Sequence, residues 1–476
     1  MSWGETARSP AALFAVDVRS LAALRIGLGA VLLIDLAVRA TDLSAHYADA
    51  GVLPRAMLLA RAESRWRFSV HSLGGSASFE ATLFCLAAVF GFLLLIGLRT
   101  RLATAVSWLM LISLHARNPL VLQGGDTLLR LLLFWAMFLP LGAVWSVDAA
   151  GRPPPAGGRI ASPATAALMI QVCLVYWFSA ALKSYRVWHV EATAVGYALN
   201  IDQFATPYGR ALLAYPALLG GLSRLVYWTE CIGPALAFMP VCIQGFRLAV
   251  IAVFGVLHLG FGLCLALGLF PVISALAWVP FLGTAFWDAV APRTRALSTA
   301  APALYGSTPA GLAAFVLLAY VTWWNLDTLP GRAWRMPSGI RRVGQVLRLD
   351  QRWGMFAPAP LRDDGWYVIC GRLAAHHTVD LLHVGTSLAW RKPADVSAMY
   401  RNQRWRKYLM RLSRKRFASY RAAYARYLCT LWDHVHYGDE SLRALRIYFM
   451  REQTLAPDRI AAPRRALLLR HRCERT

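Results

Sequence analysis

The sequence predicts an all-α polytopic membrane protein, with about nine transmembrane helices and a small C-terminal α+β extramembrane domain. Three observations carry this. Of 476 residues, 57% are hydrophobic and only 16% are charged, more apolar surface than a soluble core can bury. The apolar residues fall in separate blocks of membrane-crossing length, so lipid is their solvent rather than one large core. Beyond about Gly331 the blocks end and arginine-rich segments follow.

In chain order, residues 1–18 form a cytoplasmic N-terminal segment, residues 19–328 the membrane domain and residues 329–476 a basic tail domain. The expected spans cover residues 20–38, 79–97, 102–119, 127–146, 163–183, 214–240, 247–268, 270–288 and 309–327. The first holds Arg25 and Asp35 and lacks a clear small-residue cleavage site after it, so it reads as a retained helix. The eighth contains Pro271 and Pro280, which kink a helix, and only a short turn at Gly268 separates it from the seventh. The Pro/Gly stretch 148–162 separates two helix groups, and residues 289–308 form a second break.

Positive charge in short loops sets orientation. Arg99 and Arg101, Arg152 and Arg159, Arg247, and Arg293 and Arg295 all share one side if the N-terminus is cytoplasmic. The loop from Arg39 to Ser78, with Arg55, Arg61, Arg65 and Arg67, faces the other way; its Leu, Met and Trp content marks an interfacial segment. An odd number of spans then puts the tail domain outside. In the tail, WYVICGRL and VDLLHV read as a β-hairpin. From Arg401 to Leu431 a helical period places Trp405, Leu409, Leu412, Tyr420, Tyr424, Tyr427 and Leu431 on one side.

The net charge of +25 points to anionic membrane lipid headgroups as partners. With the tail outside the cytoplasm, even the run RWRKYLMRLSRKRF reads as a lipid-facing or solvated helix face and not as a nucleic-acid patch. The eight cysteines include no CxxC pair, and Cys85, Cys173, Cys231 and Cys264 lie in apolar segments, so no disulfide framework or zinc site is readable. His376, His377, His383, His434 and His436 match no metal-ligand spacing, and no metal is assigned.

Ionisable side chains at membrane depth are costly and mark candidate sites. Here they are Arg25, Asp35, Arg130, Lys183, Glu230 and His258. Ion pairing between spans accounts for Arg25, Asp35 and Arg130. Lys183 is one of only four lysines and ends the segment MIQVCLVYWFSAALK. A lysine there either snorkels to the headgroups or, partly desolvated, supplies a neutral amine that accepts a proton, which arginine cannot. His258 lies too deep to snorkel and needs a partner, for which Glu230 is a candidate; a backbone or hydroxyl group is the other. The interval HARNPLVLQGGDTLLR sets Asn118, Gln123 and Asp126 around a Gly-Gly break, as either the wall of a polar pocket or a tight turn.

These segments, with YWFSAALKSYRVW, NPLVLQGGDTLLRLLLFW and its downstream WSVDA, YALNIDQFATP and LHLGFGLCLALGLFP, resemble the HTTM domain. That domain is the membrane region shared by bacterial proteins and the vitamin K-dependent γ-carboxylase, and the resemblance covers residues 16–290. It implies a bacterial plasma (inner) membrane location and a reduced quinone of the vitamin K or menaquinone type as cofactor. It also implies a base at Lys183, five residues before Trp188. In the carboxylase, oxygen adds to the deprotonated hydroquinone, and the strongly basic product removes a glutamate γ-proton so that carbon dioxide is captured. His258, Glu230, Gln123 and Asp126 are the expected cofactor-binding residues. The chain departs from the carboxylase in reading Gln123-Gly124-Gly125 in place of an Asn-Asn-His run, and in its much shorter tail. Protein γ-carboxylation therefore does not follow from the resemblance. The expectation is a quinol- or lipid-dependent membrane enzyme; its rival is a non-enzymatic factor that binds lipid or a secreted peptide or protein during maturation or export.

Overall fold

A computed structural model describes residues 9–60, 66, 68–152, 158–291, 302–331, 333–382, 388–456 and 458–474. Arg61, Arg65, Arg67, Arg293, Arg295 and His383, all used above, lie outside them.

Five described helices are long and apolar enough to cross a membrane: α1 (Val18–Ala40), α2 (Ala77–Ile96), α5 (Pro163–Leu182), α7 (Ile243–Cys264) and α10 (Thr308–Asp327). They coincide with five of the nine expected spans. The other four fall short for local reasons. The helix α3 (Thr100–Arg117) carries Arg101, His115 and Arg117, α4 (Gly124–Ala136) has only 13 residues, and α6 (Pro216–Leu236) carries Arg224 and Glu230. The eighth is broken: α8 (Phe270–Leu276) with the turn Val279–Phe281 meets α9 (Thr284–Val290) at a bend of 105°, and counting that pair as one span gives six.

Burial separates the helices by role. The most apolar window of α5 is 78% buried, which makes it the central helix, whereas those of α2, α7 and α10 are only 22–28% buried. Their exposed residues are large and apolar, Val89 and Phe92 on α2, Val256 and Leu259 on α7, Leu312 and Phe315 on α10. A band of that kind has lipid as its solvent.

At one end of the helices, Asp17 caps α1 through the Arg19 backbone N–H at 2.8 Å, and the buried Arg19 side chain bridges Asp17 (2.8 Å) to Asp288 on α9 (2.9 Å). Gly97 ends α2 at φ +73°, and a Cβ there would run into the Arg25 guanidinium, which donates to the Trp145 carbonyl. Within the Pro/Gly stretch, Arg159–Ala161 forms a short strand, β2, between β1 (Val16–Asp17, antiparallel) and β3 (Ala303–Leu304, parallel). Nothing in the local sequence announces it.

The tail domain packs at the other end. Its α11 (Ser338–Val346) precedes a five-stranded sheet with order β5-β4-β6, in which β7 (Arg459–Ile460) and β8 (Arg464–Arg472) also pair with β6. The expected hairpin is β4 (Asp363–Leu373) with β5 (Thr378–Asp380), antiparallel. The longest pairing, β4 with β6 (Leu442–Ala456), was not anticipated. The expected helical stretch is two helices, α12 (Gln403–Leu412) and α13 (Arg421–Asp433), joined by a 3₁₀ turn, with Leu409, Leu412, Tyr420 and Tyr424 in the core and Leu431 exposed. Cys429 and Cys473 form a disulfide that their spacing did not disclose.

A buried ring of charge fixes the tail to the membrane helices. From α12, Arg404 reaches Asp35 on α1 at 2.6 Å and Asp126 on α4 at 2.7 Å, and Arg39 reaches the same two carboxylates at 2.7 and 2.5 Å. Asp35 thus finds its partners on its own helix and in the tail, not on another span. Arg130 likewise meets Asp350, at 3.4 Å, beyond the membrane helices. Replacing Arg404 by alanine strands two buried carboxylates on one remaining cation, so Arg404→Ala is expected to destabilise the protein by about 3–5 kcal/mol. Denaturant unfolding in detergent should show this, and the loss should shrink in an Asp126→Asn background; equal losses in both backgrounds would mean the ring does not act as a unit.

Candidate functional site

The site begins at the C-terminal end of α5. Lys183 is the C-cap residue, and Ser179, four residues earlier, lies on the same helical face. Lys183 Nζ donates to Ser179 Oγ at 2.7 Å and to Glu230 Oε2 of α6, and it sits 4.9 Å from the Trp188 ring centroid. Only 2% of Lys183 is exposed, so it does not snorkel. The residue five positions on from the lysine is the one whose aromatic face covers its ammonium.

His258 is held elsewhere. Its Nε2 is 2.7 Å from the Tyr176 hydroxyl, which also accepts from Trp278 Nε1 at 3.0 Å, amid Phe254 and Phe261. Of the two candidate partners for His258, the hydroxyl is the one found, and Glu230 pairs instead with the cationic Lys183. Tyr176, on the same α5 helix, gave no sequence signal beyond being a tyrosine in an apolar span.

Lys183 and Glu230 line a cavity of 1780 Å³ between the membrane helices and the tail. Its polar points include Gln123 and Thr127, and its walls on α6 and α7 are apolar and accessible, with Leu225, Val253 and Val256 49–70% exposed. The tail supplies Met355 and Phe356 and a cluster of cations on and near α12. This volume exceeds the roughly 300–1,000 Å³ of ordinary small-molecule sites.

Of the expected cofactor-binding residues, Gln123 and Glu230 reach the cavity; Asp126 and His258 do not. Asp126 is spent in the charge ring and in capping α4, where its carboxylate accepts from the Gln123 backbone N–H at 2.7 Å. Gln123 donates from Nε2 to the Leu267 carbonyl at 3.0 Å and to Gln403 Oε1 at 2.6 Å, so the Gly-Gly break is both a turn and a cavity wall. Among the described residues no group of three His, Cys, Asp or Glu side chains could hold a metal ion. His376 contacts Arg372 at 2.9 Å and His436 stacks on Trp432.

Paired buried groups of this kind test each other. Removing either His258 or Tyr176 from the bond leaves its partner without it, a cost of about 1–3 kcal/mol. His258→Leu and Tyr176→Phe should be non-additive in a thermal unfolding series, whereas His258→Leu and Glu230→Gln should add. Coupling of the second pair would contradict the arrangement described. Comparison with protein-family models, with curated proteins and with solved structures finds no match for this chain.

Proposed function

We propose that this chain is a multi-pass membrane enzyme of the γ-carboxylase-like HTTM type. It takes an amphiphile from the bilayer, a reduced quinone of the vitamin K or menaquinone type or a lipid, into its cavity and moves a proton at Lys183 and Glu230. The observation that carries this reading is a buried, charge-paired lysine lining a large cavity with accessible apolar walls.

An ammonium facing a carboxylate is one proton short of what the two groups can hold. The pair, rather than Lys183 alone, is thus the acid–base unit: Lys183 passes a proton to Glu230 and takes one from a bound hydroxyl, which leaves ammonium beside a carboxylic acid. Ser179 and Trp188 hold the amine in position, and Gln123 lines the same cavity with a carboxamide, while in the resemblance to the carboxylase's Asn-Asn-His run the place of the imidazole falls to Gly125.

A non-enzymatic factor that holds lipid or a secreted partner is the second reading. The closure of Lys183 on Glu230 and Ser179, which satisfies the amine without a ligand, favours it. Lys183→Arg separates the two. Guanidinium keeps the charge opposite Glu230 but cannot release a proton near neutral pH. The variant should lose quinol-dependent oxygen uptake and quinone epoxide formation as completely as Lys183→Ala, with its unfolding midpoint within about 2–4 °C of the parent. Full turnover in the arginine variant would remove Lys183 as an acid–base group; lipid retained by a parent that never turns over quinol would favour the binding factor.

Nine crossings, a cytoplasmic N-terminus and an external tail belong to the same proposal. Loop arginines support it, as does the Cys429–Cys473 disulfide, a bond that persists in oxidising compartments. Alkaline phosphatase fused to the C-terminus should be active in a bacterial host, and fluorescence there from a reporter that matures only in the cytoplasm would overturn the orientation.

A further inference from the structure

We infer that the tail end of the cavity is a headgroup site for a lipid phosphomonoester, with Lys407, Arg411 and Arg414 as its cationic contacts. The inference rests on reading the cavity as a ligand site, and not on Lys183 being a base.

The cations of α12 differ in what they meet, although Arg404, Lys407 and Arg411, spaced i, i+3 and i+7, share one side of the helix. Arg404 is committed to Asp35 and Asp126, whereas Lys407, Arg411 one turn further on, and Arg414 just past the helix end all line the cavity. Arg411 is aimed by backbone alone: it donates to the carbonyls of Pro119 and of Leu122, the latter at 3.0 Å. Among the described residues none of these three cations meets a carboxylate at ion-pair distance; Asp126, which pulls on Lys407 and Arg411 from further off, is already engaged by Arg39 and Arg404. Burial, then Arg411, Arg414 and Arg406, push the Lys407 amine down to about 8. Burial and Arg416 chiefly push Arg411 down to about 10.

Like charges four residues apart on a helix destabilise it, and here Lys407 and Arg411 are only partly exposed and border a cavity that is open on one side. An anion in that space reverses the sign of the interaction. The same cavity runs on to Leu225, Val253 and Val256, so the anion that fits carries a long apolar chain. A phosphomonoester bears about −1.5 to −2 charge and three strong acceptor oxygens, which matches three cations on one stretch of the cavity wall, Arg414 among them at its exposed end, better than the single charge of a phosphodiester.

The test is equilibrium binding of radiolabelled dioleoyl phosphatidic acid to the purified full chain in neutral detergent. The expected result is one saturable site per chain, displaced neither by dioleoylglycerol nor by millimolar inorganic phosphate, with dioleoyl phosphatidylglycerol binding more weakly. Lys407→Gln with Arg414→Gln should weaken binding at least about tenfold, while the charge-retaining Lys407→Arg with Arg414→Lys binds as the parent does. Several outcomes would overturn the inference: unchanged affinity in the glutamine pair, equal binding of phosphatidylglycerol or dioleoylglycerol, or displacement by inorganic phosphate, which would make the site one for a soluble anion. Because the readout is binding and not turnover, a failure of quinol oxidation in the same protein strikes only the enzymatic reading.

Discussion

Two arginines and two aspartates, closed into a ring with almost no solvent contact, are what the rest of the structure depends on. Each guanidinium spans both carboxylates, so no member is left with an unmatched charge, and the desolvation cost that makes buried ions unfavourable is met by four short contacts. The ring joins three segments far apart in sequence, α1, the start of α4 and α12. Because such a bond tolerates little displacement, it fixes where the tail sits on the helices. Asn402, capping α12 and donating to Asp42 at 2.5 Å, and Gln403, accepting from Gln123, extend the same seam.

The cavity is a consequence of that docking. With α12 pinned at Arg404, Lys407 and Arg411 further along the same side of the helix border the space at the ends of α5, α6 and α7 without filling it. The resulting enclosure has walls from two kinds of element: membrane helices, which can afford apolar side chains, and a basic tail helix, which cannot be placed in lipid. Lys183 and Glu230 lie where these meet. The C-cap position of α5 gives an amine that is buried yet borders a space a ligand can enter.

Much of this was legible in the sequence, and what was not has physical causes. Long apolar blocks identify α2, α7 and α10 because lipid exposure demands apolar side chains, and α1 and α5 because burial among the other helices demands them too. The segments around α3, α4 and α6 hold charged and polar residues, among them His115, Arg117, Asp126, Arg130 and Glu230 buried against protein, so hydropathy read one way and helix geometry another. Lys183 and Glu230 stand out because charge at such depth is rare, but a single sequence carries no distances with which to choose between the His258 imidazole and the Lys183 ammonium as the partner of Glu230. Asp126 stands out in the sequence beside the Gly-Gly break, and in the structure it is engaged by Arg39 and Arg404 away from the cavity. Its true partner Arg404 lies 278 positions away in a run that reads as a solvated helix face. The strands β2, β6 and β8 were missed because their pairing partners are remote and their arginines mask the two-residue alternation.

The arginine excess takes on a different meaning once these positions are known. A run of cations near a membrane is ordinarily explained by headgroup attraction, a diffuse effect that needs no geometry. In α12 the charges are sorted. Arg404 is consumed by carboxylates, and Arg406 lies over Phe204 and donates to the Gln203 carbonyl at 3.2 Å. Lys407 and Arg411 border the cavity instead. Diffuse attraction would be served equally well by cations on the exposed side of the tail, where water lowers the cost of keeping them apart. Placing them in a partly desolvated cavity raises their mutual repulsion, and that arrangement is stable only where other interactions hold α12 down, which is what the charge ring supplies.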